Sequence, residues 1–120
     1  AKNNYLTCDK KIETILDAVQ IHDTLETAVE NADVVIEAVS ENLPLKKDLF
    51  KHLDRMCPRN VILASNSSSF TPSQYAGSIN YPDRVLGTHY FNPPYLIPLV
   101  EVVKGEKTDE KTLKTMIAFL

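Results

Sequence analysis

Strand-like segments that alternate with helix-like segments constrain the fold of this 120-residue chain more than any other feature. Two of them, "DVVIEAV" (33–39) and "NVILAS" (60–65), are mainly aliphatic, and after the opening Asp33 the one charged residue in these runs is Glu37. This pattern is typical of strands that are buried on both faces of a sheet. Three shorter segments are also predicted as strands: "VQIH" (19–22), "RVLGTH" (84–89) and "LVEVV" (99–103).

The segments between these strands carry helix signals: an apolar stripe, an N-cap residue or a proline in the first turn. Asp23, with Glu26 three residues later, predicts a capping box. Pro44 suits the first turn of the longest helix, and Thr71 caps a short one. The predicted helices cover residues 8–19, 23–32, 42–56 and 71–76, and a last helix starts at Thr108 or Asp109.

This alternation predicts an α/β fold with a mainly parallel sheet and flanking helices. In such sheets the ligand crevice lies beyond the carboxyl ends of the strands. Three polar segments follow predicted strands at that edge: "SEN" (40–42), "SNSSS" (65–69) and "HYFNPP" (89–94). Each segment alone is more often a turn or a cap, but three together at one edge predict a site.

Charge and composition exclude several functional classes. The net charge is −3 with both signs interleaved, so no basic face for nucleic acid is predicted. No apolar run approaches the roughly 18 residues that a membrane-spanning helix needs. No secretory signal pattern is found, and two cysteines without a CxxC motif favour reduced thiols in a bacterial cytoplasm or a mitochondrial matrix over secretion. No metal site is predicted.

His89 and Glu101 raise a specific question. If 99–103 is a strand, its alternation puts Glu101 on one side with Leu99 and Val103, and a buried carboxylate there requires a partner. His89 ends the preceding strand, and a carboxylate on one ring nitrogen would orient the ring and leave the other nitrogen to act as base. Alternatively, Glu101 is exposed and His89 caps a strand. Spacing alone does not separate these two readings.

Three longer runs, "ADVVIEAVSENLPLKKDLF", "ILASNSSS" and "DRVLGTHYFNPPYLIPLVEVV", together resemble the NAD-binding domain of the 3-hydroxyacyl-CoA dehydrogenase family. The resemblance covers residues 32–120 and implies a partial Rossmann-like domain with NAD as cofactor. It also implies the oxidation of (S)-3-hydroxyacyl-CoA to 3-oxoacyl-CoA, in fatty-acid beta-oxidation or 3-hydroxybutyryl-CoA metabolism.

The resemblance assigns a role to individual residues. His89 matches the family's catalytic base, Glu101 the acid that pairs with it, and Ser68 the serine that contacts the substrate oxygen near the cofactor. The residues implied in cofactor binding are Ala38 (through its backbone), Glu41, Lys46, Ser68 and Asn92.

The chain departs from the family pattern at its beginning and its end. Its three glycines, Gly77, Gly87 and Gly105, form no GxGxxG motif, so the first β-α-β unit with its phosphate-binding loop has no match. We therefore expect residues 1–120 to be an incomplete NAD-binding domain, in which only 32–120 carry family motifs. The helical C-terminal domain that makes the homodimer is also without a match, and we expect the chain alone to bind NAD poorly.

Two alternatives remain at this stage. Relatives that oxidise small 3-hydroxy acids, of the gulonate 3-dehydrogenase or carnitine dehydrogenase type, share much of "NPPYLIPLVEVV", although the Tyr90-Phe91 pair favours the acyl-CoA branch. The other alternative is a non-catalytic fragment or binding module that retains part of the sheet.

Overall fold

A computed structural model describes residues 12–120 of the chain. A short 3₁₀ helix, Pro82–Arg84, precedes the third strand. The other elements, in chain order, are α1 (Ile12–Asp17), α2 (Leu25–Val29), β1 (Val34–Glu37), α3 (Leu43–Met56), β2 (Ile62–Ser65), α4 (Pro72–Ala76), β3 (Val85–Tyr90), β4 (Val100–Lys104) and α5 (Glu110–Phe119).

The four strands form one sheet in the order β1-β2-β3-β4. The first three run parallel, with Val34 opposite Ile62 and Leu63 opposite Val85. β4 runs antiparallel to β3. The predicted α/β fold with a mainly parallel sheet is therefore confirmed, and the carboxyl ends of β1, β2 and β3 share one edge.

Helices pack on both faces of this sheet. Successive side chains along a strand point to opposite faces, and in these strands both faces carry apolar side chains. One core cluster joins Leu63 and Val85 to Phe50 and Leu53 of α3 and to Tyr75 of α4. The cluster on the other face joins Ile62, Ala64 and Leu86 to Met116 of α5. The α3 helix begins as predicted, because the Asn42 side chain accepts a hydrogen bond from Leu45 N at 3.0 Å and Pro44 lies in the first turn.

Replacing Phe50 with alanine is expected to lower the free energy of unfolding by about 3–5 kcal/mol. Phe50 is fully buried, and its ring centroid lies 4.7 Å from that of Tyr75, so the substitution leaves a cavity. Leu45→Ala, on the exposed side of the same helix, is the control and should change the value by less than about 1 kcal/mol. Urea denaturation measures both, and equal losses would contradict the assignment of this core.

Two local predictions are wrong. Residues 19–22 form no strand but lie between α1 and α2, where Ile21 is 94% exposed. A strand needs a neighbour for its backbone hydrogen bonds, and none pairs with this segment among residues 12–120. The N-cap of α2 is Thr24 rather than Asp23, because the helix begins at Leu25 and the Thr24 hydroxyl accepts from Thr27 N at 3.3 Å.

The predicted burial of β1 on both faces is also wrong. Within the described part of the chain β1 is an edge strand that pairs only with β2. Ile36 is exposed and Glu37 is buried, although an apolar side chain is usually buried and a charged one exposed. Of the predicted helix at 8–19, residues 8–11 lie outside the described residues, and the apolar side chains of α1 are exposed.

Candidate functional site

The carboxyl edge of the parallel strands collects the polar segments that the sequence singled out. Glu37 ends β1 and lies opposite Ser65, which ends β2. Ser65 is in turn opposite Gly87 of β3, two residues before His89. The segment 40–42 after β1, the loop 66–69 after β2 and the end of β3 therefore lie at one edge of the sheet, as predicted.

The His89 imidazole lies between a carboxylate and a hydroxyl. Its Nδ1 is 2.8 Å from Glu101 Oε2, and its Nε2 is 3.1 Å from Ser68 Oγ. His89 and Glu101 are partners in the antiparallel register of β3 and β4, and directly opposed residues project to the same face of a sheet. The predicted contact between His89 and Glu101 is therefore confirmed.

The reason given for that contact was partly wrong. The Glu101 side chain is 55% exposed, so burial does not force the carboxylate to find a partner; the strand register brings the partner to it. The His89 side chain is 25% exposed, and the Phe91 ring lies 5.1 Å from the imidazole, centroid to centroid. The imidazole is thus held by its neighbours and remains accessible at the edge.

The loop that carries Ser68 is tied to both neighbouring strands. Asn66 N donates to the Glu37 carbonyl at 2.8 Å, and Asn66 Oδ1 accepts from Tyr90 N at 2.9 Å. The Ser67 hydroxyl accepts from Phe70 N at 3.0 Å, which tightens the turn. These bonds place Ser68 within hydrogen-bonding distance of the imidazole.

Glu41 holds the same loop from the other side. Its carboxylate accepts hydrogen bonds from the Ser67 hydroxyl and from Ser69 N, the latter at 2.9 Å, and Lys46 Nζ lies 3.3 Å away. Partial burial raises the pKa of the Glu41 carboxyl, but the bonds from Ser67 and Ser69 and the charge of Lys46 lower it. The net pKa lies below its usual value of 4.5.

The thermal stability of a Glu41→Gln variant is expected to differ from that of the unmodified protein in a pH-dependent way. Because the folded-state pKa of Glu41 is lowered, its contribution to stability is present above the usual value of 4.5 and is lost as the pH falls through the folded-state value. The variant should therefore melt at a lower temperature near neutral pH, and the difference should disappear in acid. Glu106→Gln, at an exposed glutamate after β4, is the control. A difference that does not change with pH would contradict the role of the carboxylate.

A buried acid, Glu37, lies deeper, and the sequence analysis assigned it no role. The Lys46 side chain is 1% exposed, and its Nζ lies 2.6 Å from Glu37 Oε1. The Ser65 hydroxyl donates to Glu37 Oε2, also at 2.6 Å. The one signal in the sequence was an acid inside an otherwise aliphatic strand, which predicts a buried partner but does not identify it.

Ala38 and Asn92 stand apart from these contacts. Ala38 is exposed directly after β1, and Asn92 is exposed two residues after the end of β3. Within the part of the chain that the structure describes, no side-chain hydrogen bond joins Asn92 to His89, Ser68 or Glu101. The structure thus joins Ser68, His89 and Glu101 in one group and Glu41 and Lys46 in another.

The candidate site lies at an accessible edge of the sheet, where the Glu101 side chain is more than half exposed. A cavity of about 380 Å³ lies elsewhere, between α4 and the turn after β4, and none of the predicted site residues lines it. None of the helices in the described range, 12–120, is both long and apolar enough to cross a bilayer.

The chain is similar to proteins of known classification. Residues 1–120 match the family described as "3-hydroxyacyl-CoA dehydrogenase, NAD binding domain", a match that includes residues 1–31, where we found no motif. The chain is 43% identical over 110 residues to a probable 3-hydroxybutyryl-CoA dehydrogenase of Bacillus subtilis. The aligned region covers 92% of this chain and 38% of the relative.

Two further proteins show the range of the similarity. A 5-formyl-3-hydroxy-2-methylpyridine 4-carboxylate 5-dehydrogenase of Mesorhizobium japonicum is 37% identical over 116 residues, covering 87% of this chain and 38% of the relative. The crystal structure of a 3-hydroxyacyl-CoA dehydrogenase from Archaeoglobus fulgidus superposes with a TM-score of 0.81 at 36% identity, covering 89% of this chain and 37% of that chain.

The chain therefore spans less than two-fifths of the length of these relatives. The similarity confirms the Rossmann-like fold, an oxidoreductase family and NAD as the cofactor of this domain. With the whole of its length matched and its sheet superposed on a solved member, the chain belongs to the 3-hydroxyacyl-CoA dehydrogenase family, as its NAD-binding domain.

Proposed function

We propose that the protein containing this chain oxidises (S)-3-hydroxyacyl-CoA to 3-oxoacyl-CoA with NAD, and that His89 is the catalytic base. The observation that supports this most is the accessible imidazole held between Glu101 and Ser68 at the carboxyl edge of the sheet. The Bacillus subtilis relative is named a probable 3-hydroxybutyryl-CoA dehydrogenase, and this similarity favours an acyl-CoA as the substrate.

The two contacts of the imidazole divide its nitrogens between two tasks. Glu101 accepts a hydrogen bond from Nδ1–H, which leaves the Nε2 lone pair as an acceptor. In the absence of substrate this lone pair accepts from the Ser68 hydroxyl, which turns to the substrate oxygen when substrate binds. Nε2 then takes the proton of the substrate 3-hydroxyl, and the Glu101 carboxylate stabilises the imidazolium that forms. Ser68, next to Nε2, donates a hydrogen bond to the substrate oxygen. Bound NAD would supply the acceptor for the hydride that leaves C3 as the carbonyl forms.

The open edge has groups that fit this cofactor. Glu41 is partly exposed and offers a carboxylate to ribose hydroxyls, while the exposed Asn92 offers an amide to the nicotinamide. The backbone of Ala38 is accessible at the end of β1. Lys46 is buried and bonded to acceptors of the chain itself, so we assign it to the support of Glu41 and not to direct contact.

The full-length protein provides the decisive assay. We expect NADH to be oxidised on addition of acetoacetyl-CoA, as followed by the loss of NADH absorbance. Turnover of small 3-oxo or 3-hydroxy acids with indifference to acetoacetyl-CoA would overturn the acyl-CoA assignment. If neither substrate class is turned over, the result would support the alternative of a non-catalytic binding module.

One observation favours a second candidate, a small-acid dehydrogenase. The relative from Mesorhizobium japonicum is named for a pyridine carboxylate substrate, and 37% identity to it is close to the identity with acyl-CoA enzymes. Gulonate and carnitine are therefore included in the assay with NAD, and their turnover would support this candidate.

We further propose that the chain acts within a longer protein, since it spans less than two-fifths of its relatives. In this proposal a helical domain outside the chain forms a homodimer, and the enzyme works in a bacterial cytoplasm or a mitochondrial matrix. Sedimentation of the full-length protein measures the oligomeric state, and a monomer would contradict the proposed dimer.

A further inference from the structure

We propose that Glu37 is a positioning residue, which holds the loop 66–69 so that Ser68 Oγ meets His89 Nε2. The inference deepens the proposed function and rests on it, because Ser68 and His89 are the groups assigned to the substrate oxygen. Glu37 lies at the end of β1, below the accessible edge, and does not touch substrate in this role.

The first step is the set of bonds that Glu37 accepts. The residue is 5% exposed, and both carboxylate oxygens are used. Oε1 accepts from Lys46 Nζ at 2.6 Å and from Val39 N at 2.8 Å, while Oε2 accepts from Ser65 Oγ at 2.6 Å. Charge-assisted bonds of this length are among the strong ones in proteins, and they join the ends of β1 and β2 to α3.

The second step is the path from Glu37 to the loop. Ser65 Oγ, which donates to Glu37, accepts from Ser67 N at 3.2 Å. Lys46, which neutralises Glu37, also lies 3.3 Å from Glu41, whose carboxylate accepts from Ser67 Oγ and Ser69 N. Both neighbours of Ser68 along the chain are therefore anchored to groups that Glu37 holds.

The third step is the need for an ionised acid at this position. A carboxylate is an acceptor at both oxygens, and here it receives three donors. Glutamine has the same shape, but its amide NH₂ is a donor. At the place of Oε1 it would face two donors, Lys46 Nζ and Val39 N, so it takes the place of Oε2 and faces the Ser65 hydroxyl. The Ser65 hydroxyl then loses its acceptor, and with it the orientation that receives Ser67 N.

A purely structural role is the competing explanation, and the chain offers a matched control. Asp54 and Arg84 form a second buried ion pair, 3.1 Å apart, with side chains only 1% and 3% exposed. Arg84 donates to the carbonyl of Val61 just before β2, so this pair lies at the amino edge of the sheet. Asp54→Asn breaks a comparable ion pair without touching the loop.

The experiment compares Glu37→Gln with Asp54→Asn in the full-length enzyme, assayed below the melting temperature of each variant. Both should melt at lower temperature. Only Glu37→Gln should lower kcat, by about tenfold to a hundredfold, because a misplacement on the order of 1 Å at the reacting groups has that effect. The KM for the acyl-CoA substrate should stay within about threefold of the unmodified value, because misplaced reacting groups weaken the transition state and not the binding of the substrate.

Ser65→Ala keeps the proposal testable if Glu37→Gln fails to fold. It removes one hydroxyl and leaves the Glu37–Lys46 pair in place. We expect a smaller loss in kcat than for Glu37→Gln, about fivefold to twentyfold, because Glu41 still holds the loop. Ser73→Ala removes a hydroxyl that accepts from Glu106 N in the turn after β4 and, within the described residues, is not bonded to the loop 66–69, so it should leave kcat unchanged. Equal kcat values for Ser65→Ala and the unmodified enzyme would overturn the proposal.

A spectroscopic measurement separates this inference from the proposed function. The NMR shift of the His89 Nε2 nitrogen reports its hydrogen bond to Ser68 and needs no substrate. Glu37→Gln and Ser65→Ala should move it, whereas Asp54→Asn and Ser73→Ala should not. If the unmodified enzyme turns over no substrate, the function fails and the shift still tests the inference. If all four variants leave the shift in place, the inference is wrong whatever the activity.

Discussion

Replacing His89 with glutamine in the full-length enzyme is expected to lower kcat by about a thousandfold, within the range of a positioned general base. Glutamine can still form hydrogen bonds to Glu101 and Ser68, but its amide cannot take a proton from the substrate hydroxyl. The KM for the acyl-CoA should change little, because the imidazole is assigned to the transition state and not to ground-state binding.

His52 provides the control for this prediction. It lies exposed on α3, so His52→Gln makes the same chemical change outside the site and should leave kcat and the melting temperature unchanged. Steady-state assays with acetoacetyl-CoA and NADH measure both variants. If His89→Gln retained more than a tenth of the activity, the assignment of the base would be wrong.

Replacing Glu101 with glutamine is expected to lower kcat by about a hundredfold. The carboxylate 2.8 Å from Nδ1 has two effects: it keeps the Nδ1 proton in place and it stabilises the imidazolium in the transition state. A glutamine amide can donate to Nδ1 instead, which favours the tautomer with the proton on Nε2, and that tautomer cannot act as the base.

The surface pair of Lys104 and Glu110 provides a matched control. Glu110 is exposed and forms an ion pair with Lys104, so Glu110→Gln also removes a carboxylate from a partly exposed pair. It should change kcat by less than about twofold, since exposed ion pairs contribute little even to stability. Activity of Glu101→Gln within a few-fold of the unmodified enzyme would contradict its role.

The combined variant tests whether the two residues act as one unit. Groups that cooperate in one step are strongly non-additive, so His89→Gln with Glu101→Gln should be no slower than His89→Gln alone. A further hundredfold loss would mean that Glu101 contributes in a way that does not involve the imidazole.

Several elements could be predicted because their signals are local. The start of α3 depends on Asn42 and Pro44, and that of α5 on Asp109, whose carboxylate accepts from Thr112 N. Each of these contacts spans only a few residues along the chain. The pairing of His89 with Glu101 could also be predicted, because the two residues lie on consecutive strands and only twelve residues apart.

Other features depended on contacts between distant segments. Residues 19–22 have the composition of a strand but no neighbouring strand in the described part of the chain, and backbone pairing decides whether a strand forms. The roles of all the predicted site residues stay predictions, and two of these residues, Ala38 and Asn92, also lie outside the contacts that join Ser68, His89 and Glu101.

The sequence by itself determined the order of the elements from β1 to α5, the polar segments at one edge of the sheet and the family, because these follow from local composition and motif order. Only the tertiary structure decided that Glu37 is buried while Glu101 is exposed. Burial depends on what packs against each side chain: Lys46 and Ser65, nine and 28 residues away, enclose Glu37, whereas solvent borders Glu101.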